Sequence, residues 1–340
     1  MAKFAQPLAA AILIGAGAAF FLWKPWENGQ AQDKPPKRDK FGETRGGADV
    51  IPFDGERAHK YLKQLCDLGP RVSGSEGMAK QIELLTKHFE AHGATVTRQE
   101  FEAKQYSRRD KVKMTNLIAA FHPERPRRVI LCAHYDTRPI AHEELNRNDW
   151  RKPFLSANDG TSGVAMFMEL AHHAKDLSAV VGVDFVCFDG EEYIFEKDAF
   201  GGQPADRFFF GSDHFAEQYV ASKATRKFQY EAAILYDLVA HRGARFEVEG
   251  HSWEKSDKLA SQFWKVALDR RSPAFLNSVG RPIQDDHLAL QRAGIPAIDI
   301  IDFDGYERHW HKLSDTPDKV DPKQMAEVAG VTAAWLQGLK

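Results

Sequence analysis

Five short, nearly continuous apolar runs divide this chain, and they limit what it can fold into more than any other feature. They are 115–121 (TNLIAAF), 128–135 (RVILCAHY), 183–188 (VDFVCF), 232–239 (AAILYDLV) and 297–303 (AIDIIDF). A strand with water on one face alternates apolar and polar residues, as 95–101 does here. A nearly continuous run is covered on both faces, as in a mostly parallel sheet packed under helices. The segments between the runs carry the helical period instead. In 53–68, Ala58, Tyr61, Leu62 and Leu65 share one face, and Gly69-Pro70 ends the pattern. Residues 75–91 repeat it and stop at Gly93, after a turn-rich loop at 69–75. Further helices are expected at 163–175, 212–223, 256–271, 286–293 and 322–339. Strand and helix alternate, so the class is α/β: a single domain, a mostly parallel central sheet and helices on its faces. The chain has no internal repeat and no glycine-rich phosphate loop.

That domain is expected over 51–340. Before it, 8–23 contains no charged residue, with Lys3 ahead and Lys24 behind. The segment is apolar all round, which suits a signal or membrane anchor at 1–23 better than an amphipathic helix of the domain. Either reading exports the remainder of the chain, as a membrane-anchored extracytoplasmic domain or as a secreted one if the leader is cleaved. Residues 24–50 are rich in Pro, Gly and charge and read as a disordered linker.

The charge is nearly balanced, with 46 Lys plus Arg against 48 Asp plus Glu. A nucleic-acid partner is therefore not expected, since phosphate binding needs a clustered basic excess. Three cysteines, Cys66, Cys132 and Cys187, are too few and too scattered for a disulfide scaffold or a thiolate zinc site. Cys132 and Cys187 lie in apolar runs, as buried inert thiols do.

Acids and histidines gather where the runs end. RVILCA leads into His134-Tyr135-Asp136, VDFVCF into Asp189-Gly190-Glu191-Glu192, and AAILY into Asp237. Ligands of open α/β sheets collect outside the carboxyl ends of strands. Two loops can add to that edge: 156–160, with Asp159-Gly160, and 309–311, with Trp310-His311. A lone carboxylate at a strand end is commonly a cap or a surface charge. The adjacent pair Glu191-Glu192 is different, because two carboxylates repel in a closed pocket unless a cation or proton intervenes. Histidine with carboxylates and no thiolate is a catalytic-zinc ligand set with a position left open. One glutamate of the pair can then ligate while the other serves as acid and base.

The series His134-x-Asp136, Asp159-Gly160, Asp189-Gly190-Glu191-Glu192, Asp237 and His311 resembles the zinc aminopeptidase family M28. More narrowly it resembles the glutaminyl-peptide cyclotransferases (glutaminyl cyclases) within that family. The closer likeness rests on 133–136, 188–192, Ile283-Gln284-Asp285-Asp286-His287 and Trp310-His311, and covers about 54–340. The resemblance implies a mixed, mostly parallel sheet with helices on both faces. It implies zinc on Asp159, Glu192 and His311, with Glu191 as general acid/base. A second metal is held in the aminopeptidases by His134 and Asp237 with Asp159 bridging. Cyclases with a single zinc keep that pair, so the ligands alone do not count the metals; one zinc is favoured and two are allowed. In cyclases, His134, Asp237 and Asp285 would form a hydrogen-bonded cluster beside the substrate amine, and Asp136 would orient His134. Trp310 and Gln284 would contact substrate.

Among other histidines, His309 competes with His311, but Trp310-His311 matches the family pair. His287 reads as a helix start, and His142, His172, His173 and His251 as surface or capping residues. Two departures stand out. Lys197 occupies the place of a substrate-packing tryptophan, so that another aromatic of 193–210, such as Phe195, must replace it or the pocket takes other substrates. Ala133 replaces a cysteine before the motif histidine, with Cys132 on the opposite strand face, so no disulfide is expected there.

The expected activity is conversion of an N-terminal Gln of a peptide or protein to pyroglutamate with release of ammonia. The alternative is a dizinc aminopeptidase. A non-catalytic receptor-like domain is disfavoured, because such relatives lose ligands or the acid/base glutamate and all are present here.

Overall fold

The computed structural model describes residues 51–178, 180–196 and 205–340. The expected leader at 1–23, the linker at 24–50 and the Lys197 departure lie outside the described residues. In order, the elements are α1 (Gly55–Cys66), α2 (Glu76–Ala91), β1 (Thr95–Ala103), β2 (Val112–Phe121), β3 (Arg127–His134), α3 (Thr161–Leu170) and β4 (Gly182–Phe188). Next come α4 (Phe210–Ala221), β5 (Gln229–Asp237), β6 (Phe246–Val248), α5 (Gly250–Asp269), β7 (Phe275–Val279), α6 (His287–Arg292), β8 (Ala297–Ile301), α7 (Phe303–Tyr306) and α8 (Pro322–Gln337).

Six strands form the central sheet in the order β1-β2-β4-β3-β5-β8. β3 pairs in parallel with β4 and β5, and β5 with β8, while β2 is antiparallel to both β1 and β4. Only β2 runs against the rest. The sheet is mixed and mostly parallel, as expected, although the run 115–121 lies in the antiparallel β2.

Side-chain alternation along β3 shows why those runs are apolar throughout. Val129, Leu131 and Ala133 enter the large core beneath α1, α2, α3, α5 and α8. Ile130 and Cys132 enter a second core with Phe215 of α4 and Leu290 of α6. Helices therefore cover both faces. Cys132 and Cys187 sit in opposite cores, and all three cysteines are free and buried. Burial pushes the Cys187 thiol up to about 12, so it is inert near neutral pH.

Local signals set the helix starts. Asp54 and Ser75 cap α1 and α2 by accepting from the Arg57 and Met78 amides. Asp321 caps α8, with Pro322 at its first position. The short parallel pair β6–β7 was not expected from sequence. β6 spans only three residues and the last three of β7 are exposed, so neither shows as an apolar run.

Candidate metal centre and active site

β3, β4, β5 and β8 run parallel, so their carboxyl ends open on one edge. His134 ends β3, Asp189-Gly190-Glu191-Glu192 follows β4, Asp237 ends β5, and the chain after β8 turns through α7 to His311. Asp159 arrives on the loop before α3. All of these residues are buried.

Two potential ligand groups overlap at Asp159. Asp159, Glu192 and His311 each offer a ligand atom, and the three lie within 4.8 Å of one another. So do those of His134, Asp159 and Asp237. In the first group, His311 Nε2 contacts Glu192 Oε1 directly and lies 3.6 Å from Asp159 Oδ2. In the second, His134 Nε2 is 3.0 Å from Asp159 Oδ1 and 3.5 Å from Asp237 Oδ1.

The donor set fits a zinc ion. Asp159 Oδ2 and Glu192 Oε2 are buried and accept no hydrogen bond, a costly state for a carboxylate oxygen without a cation. Burial, reinforced by Asp159 and opposed by His134 and Arg138, pushes the Glu192 carboxyl well above the usual range. Burial and Asp237 raise Asp159, against the pull of His134. For Glu191, burial raises the carboxyl; His134 opposes it, and Glu192 and Asp285 add to it. Burial, Asp237 and Asp286 likewise raise Asp285. A dication bound here would supply the charge compensation that this packing lacks.

Three supports fix the geometry. The Asp136 carboxylate accepts from the Glu191 and Glu192 amides, both at 3.1 Å, and so holds the turn that carries both glutamates. Asp315 accepts from the Asn158 and Asp159 amides at 2.8 and 3.2 Å, and from the Tyr306 hydroxyl at 2.6 Å. His311 itself has φ +54°, a left-handed conformation that a non-glycine residue adopts only where its surroundings impose it.

A cavity of about 200 Å³ opens beside this group. Its lining includes Glu191, Asp237, Gln284, Asp285, Trp310 and the candidate ligands Asp159, Glu192 and His311. His134 and Asp136 stand behind that lining. His309 points elsewhere, its Nδ1 2.9 Å from the Ser314 hydroxyl, so His311 is the histidine of the pair that reaches the site.

Several sequence expectations need adjusting. The hydrogen-bonded cluster contains His134, Asp159 and Asp237; Asp285 lines the same cavity but accepts from the Asp286 amide instead. Asp136 meets His134 Nδ1 through both its backbone carbonyl, at 3.2 Å, and its carboxylate, with Oδ1 3.7 Å away, while the same carboxylate holds the glutamate turn. Phe195 does not line the cavity. Its ring packs under the Arg108 guanidinium, 3.4 Å away, and against Tyr193. The aromatics come from the far end of the same segment, as Phe208 and Phe209. Trp310 stacks on His311, centroids 3.6 Å apart, and meets Phe303 edge-on. His142 is buried rather than superficial, its ring 4.9 Å from that of His311. His287 begins α6 as expected, and is buried with its Nε2 3.2 Å from Glu249.

Arg138 and Asp315 were not anticipated, whereas Phe208 and Phe209 belong to the segment 193–210 expected to supply an aromatic. Arg138 is buried with Nη1 3.6 Å from Glu192 Oε1. Phe208-Phe209-Phe210 was legible as an aromatic run, but nothing in periodicity marks Asp315 or Arg138.

A family model described as Peptidase family M28 matches residues 116–336. Among solved structures, the chain is similar to that of Fimbriiglobus ruber glutaminyl cyclase, at 52% identity and a TM-score of 0.83, over 87% of this chain and 100% of that one. It is also similar to that of a leucine aminopeptidase precursor from Bacteroides thetaiotaomicron, at 29% identity and a TM-score of 0.79, over 86% and 99%. Among curated proteins, the glutaminyl-peptide cyclotransferase of Bos taurus is 22% identical over 236 residues, 61% of each chain.

Proposed function

This chain belongs to peptidase family M28, and on that premise we propose that it is a zinc-dependent glutaminyl-peptide cyclotransferase acting on peptide or protein N-termini that begin with Gln. The observation that carries the reading is the small cavity in which Glu191 stands beside Asp159, Glu192 and His311. The 52% identity to a glutaminyl cyclase favours cyclisation over hydrolysis.

A single zinc ion on Asp159, Glu192 and His311 would supply Lewis acidity at the γ-carbonyl oxygen of the substrate glutamine. The cavity walls hold the glutamine side chain so that the substrate's own α-amine reaches the carbonyl carbon of the γ-carboxamide. Much of the rate then comes from orientation, because the nucleophile is already part of the substrate. As the α-nitrogen forms its bond to that carbon, a carboxylate oxygen of Glu191 takes the proton the amine gives up. Glu191 returns the proton to the departing amide nitrogen, the old C–N bond breaks, and ammonia leaves. The raised affinity of Glu191 for protons suits a group that must both accept and donate. Asp237 and Asp285 position the amine, Trp310 and Gln284 contact the glutamine, and Asp136 keeps Glu191 aimed through its amide. Incubation with a Gln-leading peptide is expected to release one ammonia per peptide, read by mass spectrometry. Cleavage of the first peptide bond without ammonia release would overturn the reading.

One observation favours a second reading. His134, Asp159 and Asp237 form a further ligand group sharing Asp159 with the first, the arrangement for two bridged metals. In a dizinc aminopeptidase, Glu191 would take a proton from water rather than from the substrate amine. Metal analysis of active protein separates the two: one zinc per chain supports cyclisation, two support hydrolysis. The apolar segment 8–23 supports placing the reaction outside the cytoplasm, membrane-tethered or secreted. Fractionation of cells expressing the full chain tests this, and activity confined to the cytosol would contradict it.

A further inference from the structure

α3 starts at the catalytic edge, directly after Asp159-Gly160, and its ten residues carry the chain about 15 Å towards the opposite edge of the sheet. There, beyond its far end, His172 meets His88 and His92, which lie one turn apart at the end of α2. One ring nitrogen from each of the three histidines lies within 4.8 Å of the other two. The His92 ring centroid is 4.5 Å from that of His88 and 4.1 Å from that of His172.

The hydrogen bonds around the cluster decide which nitrogens carry protons. A carbonyl oxygen only accepts, so a ring nitrogen bonded to one must bear hydrogen. His88 Nε2 donates to the Met168 carbonyl at 2.8 Å, and His92 Nδ1 to the His88 carbonyl at 2.7 Å. The neutral rings therefore keep lone pairs on His88 Nδ1 and His92 Nε2. His172 Nδ1 lies 3.3 Å from His92 Nε2, and its Nε2 is bonded to the Tyr61 hydroxyl at 2.7 Å. Each ring thus has one nitrogen anchored by an oxygen, and His92 and His172 turn the other towards each other. That is how metal-binding histidines are held, with the second nitrogen fixing tautomer and ring orientation. His88 and His92 are partly buried and His172 is exposed, so the site is braced on one side and open to solution on the other.

We propose that His88, His92 and His172 form a second metal site, distinct from the catalytic centre, which takes a divalent late transition metal such as Cu(II) or Ni(II) with solvent completing the coordination. Imidazole suits these ions, and a three-nitrogen site of this kind favours Cu(II) among them. The ion would link the end of α2 to the segment after α3 and so clamp two elements of the same face.

The test uses the untagged full chain with its catalytic zinc loaded, titrated with Cu(II) by calorimetry and followed by electron paramagnetic resonance. The expected result is one equivalent of copper bound with a spectrum showing nitrogen ligands, while zinc content and turnover of a Gln-leading peptide stay unchanged. H172A, at an exposed position, should weaken copper binding at least tenfold and remove a nitrogen from the spectrum. H88A with H92A should abolish the site. Failure to bind copper beyond the catalytic metal, displacement of the catalytic zinc instead, or unchanged binding in H172A would each overturn the proposal. The copper-binding readout does not depend on the cyclase reading.

Discussion

Gly160 shows how one residue can decide a site. A Cβ there would fall 2.5 Å from the His134 ring, and φ is +69°. Both the close approach and the backbone conformation require glycine. G160A is expected to lower stability by roughly 2–4 kcal/mol, combining left-handed strain with the overlap, and to displace His134; a thermal melt with metal content checks this. Glu191 illustrates the opposite case, a side chain whose shape matters less than its proton. E191Q should keep the bound zinc and lose turnover by about 10²–10⁴-fold. Near-normal kcat in that variant would remove Glu191 from the mechanism. Both residues were legible as sequence, Gly160 beside Asp159 and Glu191 beside Glu192, because each belongs to a short motif. Arg138 was not, because its importance lies in meeting a glutamate far away in the chain.

At the level of elements, loops far apart in sequence are tied by single carboxylates. Asp315 binds the loop before α3 to the segment after α7 through two amides and the Tyr306 hydroxyl. D315A leaves those donors buried and unsatisfied, at a cost of about 2–5 kcal/mol. It should also weaken zinc binding by about 10–100-fold through misplacement of Asp159. Competition with a zinc chelator measures this. A second tie joins α5 to α6. Burial would raise Glu249, but His287 and the His251 and Ile283 amides outweigh it and hold the carboxyl down to about 2, from 4.5. A depressed carboxyl stabilises the fold above its unfolded value and loses that contribution as pH falls through the folded one. The stability difference between the wild type and E249Q should therefore shrink between about pH 4.5 and 2; a constant difference across that window would refute the assignment. α1, α2 and α8 were legible within a few residues because caps and apolar stripes are local. β6 and β7 were missed because a short, partly exposed parallel pair carries no local pattern.

Over the whole molecule, the metal is expected to bind the folded chain and not the unfolded one. Removing it with a chelator should lower the melting temperature, and zinc at a hundredfold excess over Kd should restore about 3 kcal/mol. Calorimetry before and after readdition reads the change, and an unaltered melt would mean that the buried carboxylates are compensated by protons alone. The alternation of apolar runs and helical stretches, the strand ends rich in acids and histidines, and the residues that the fold brings together as a candidate ligand group were all readable from the chain. Periodicity and short motifs are properties of neighbouring residues, and they survive without coordinates. The partners of Asp136, the aromatics that wall the cavity, the burial of His142 and the meeting of His88, His92 and His172 emerged only in the folded molecule. Those contacts join residues tens of positions apart, and it is the sheet order and helix packing that bring them within bonding distance.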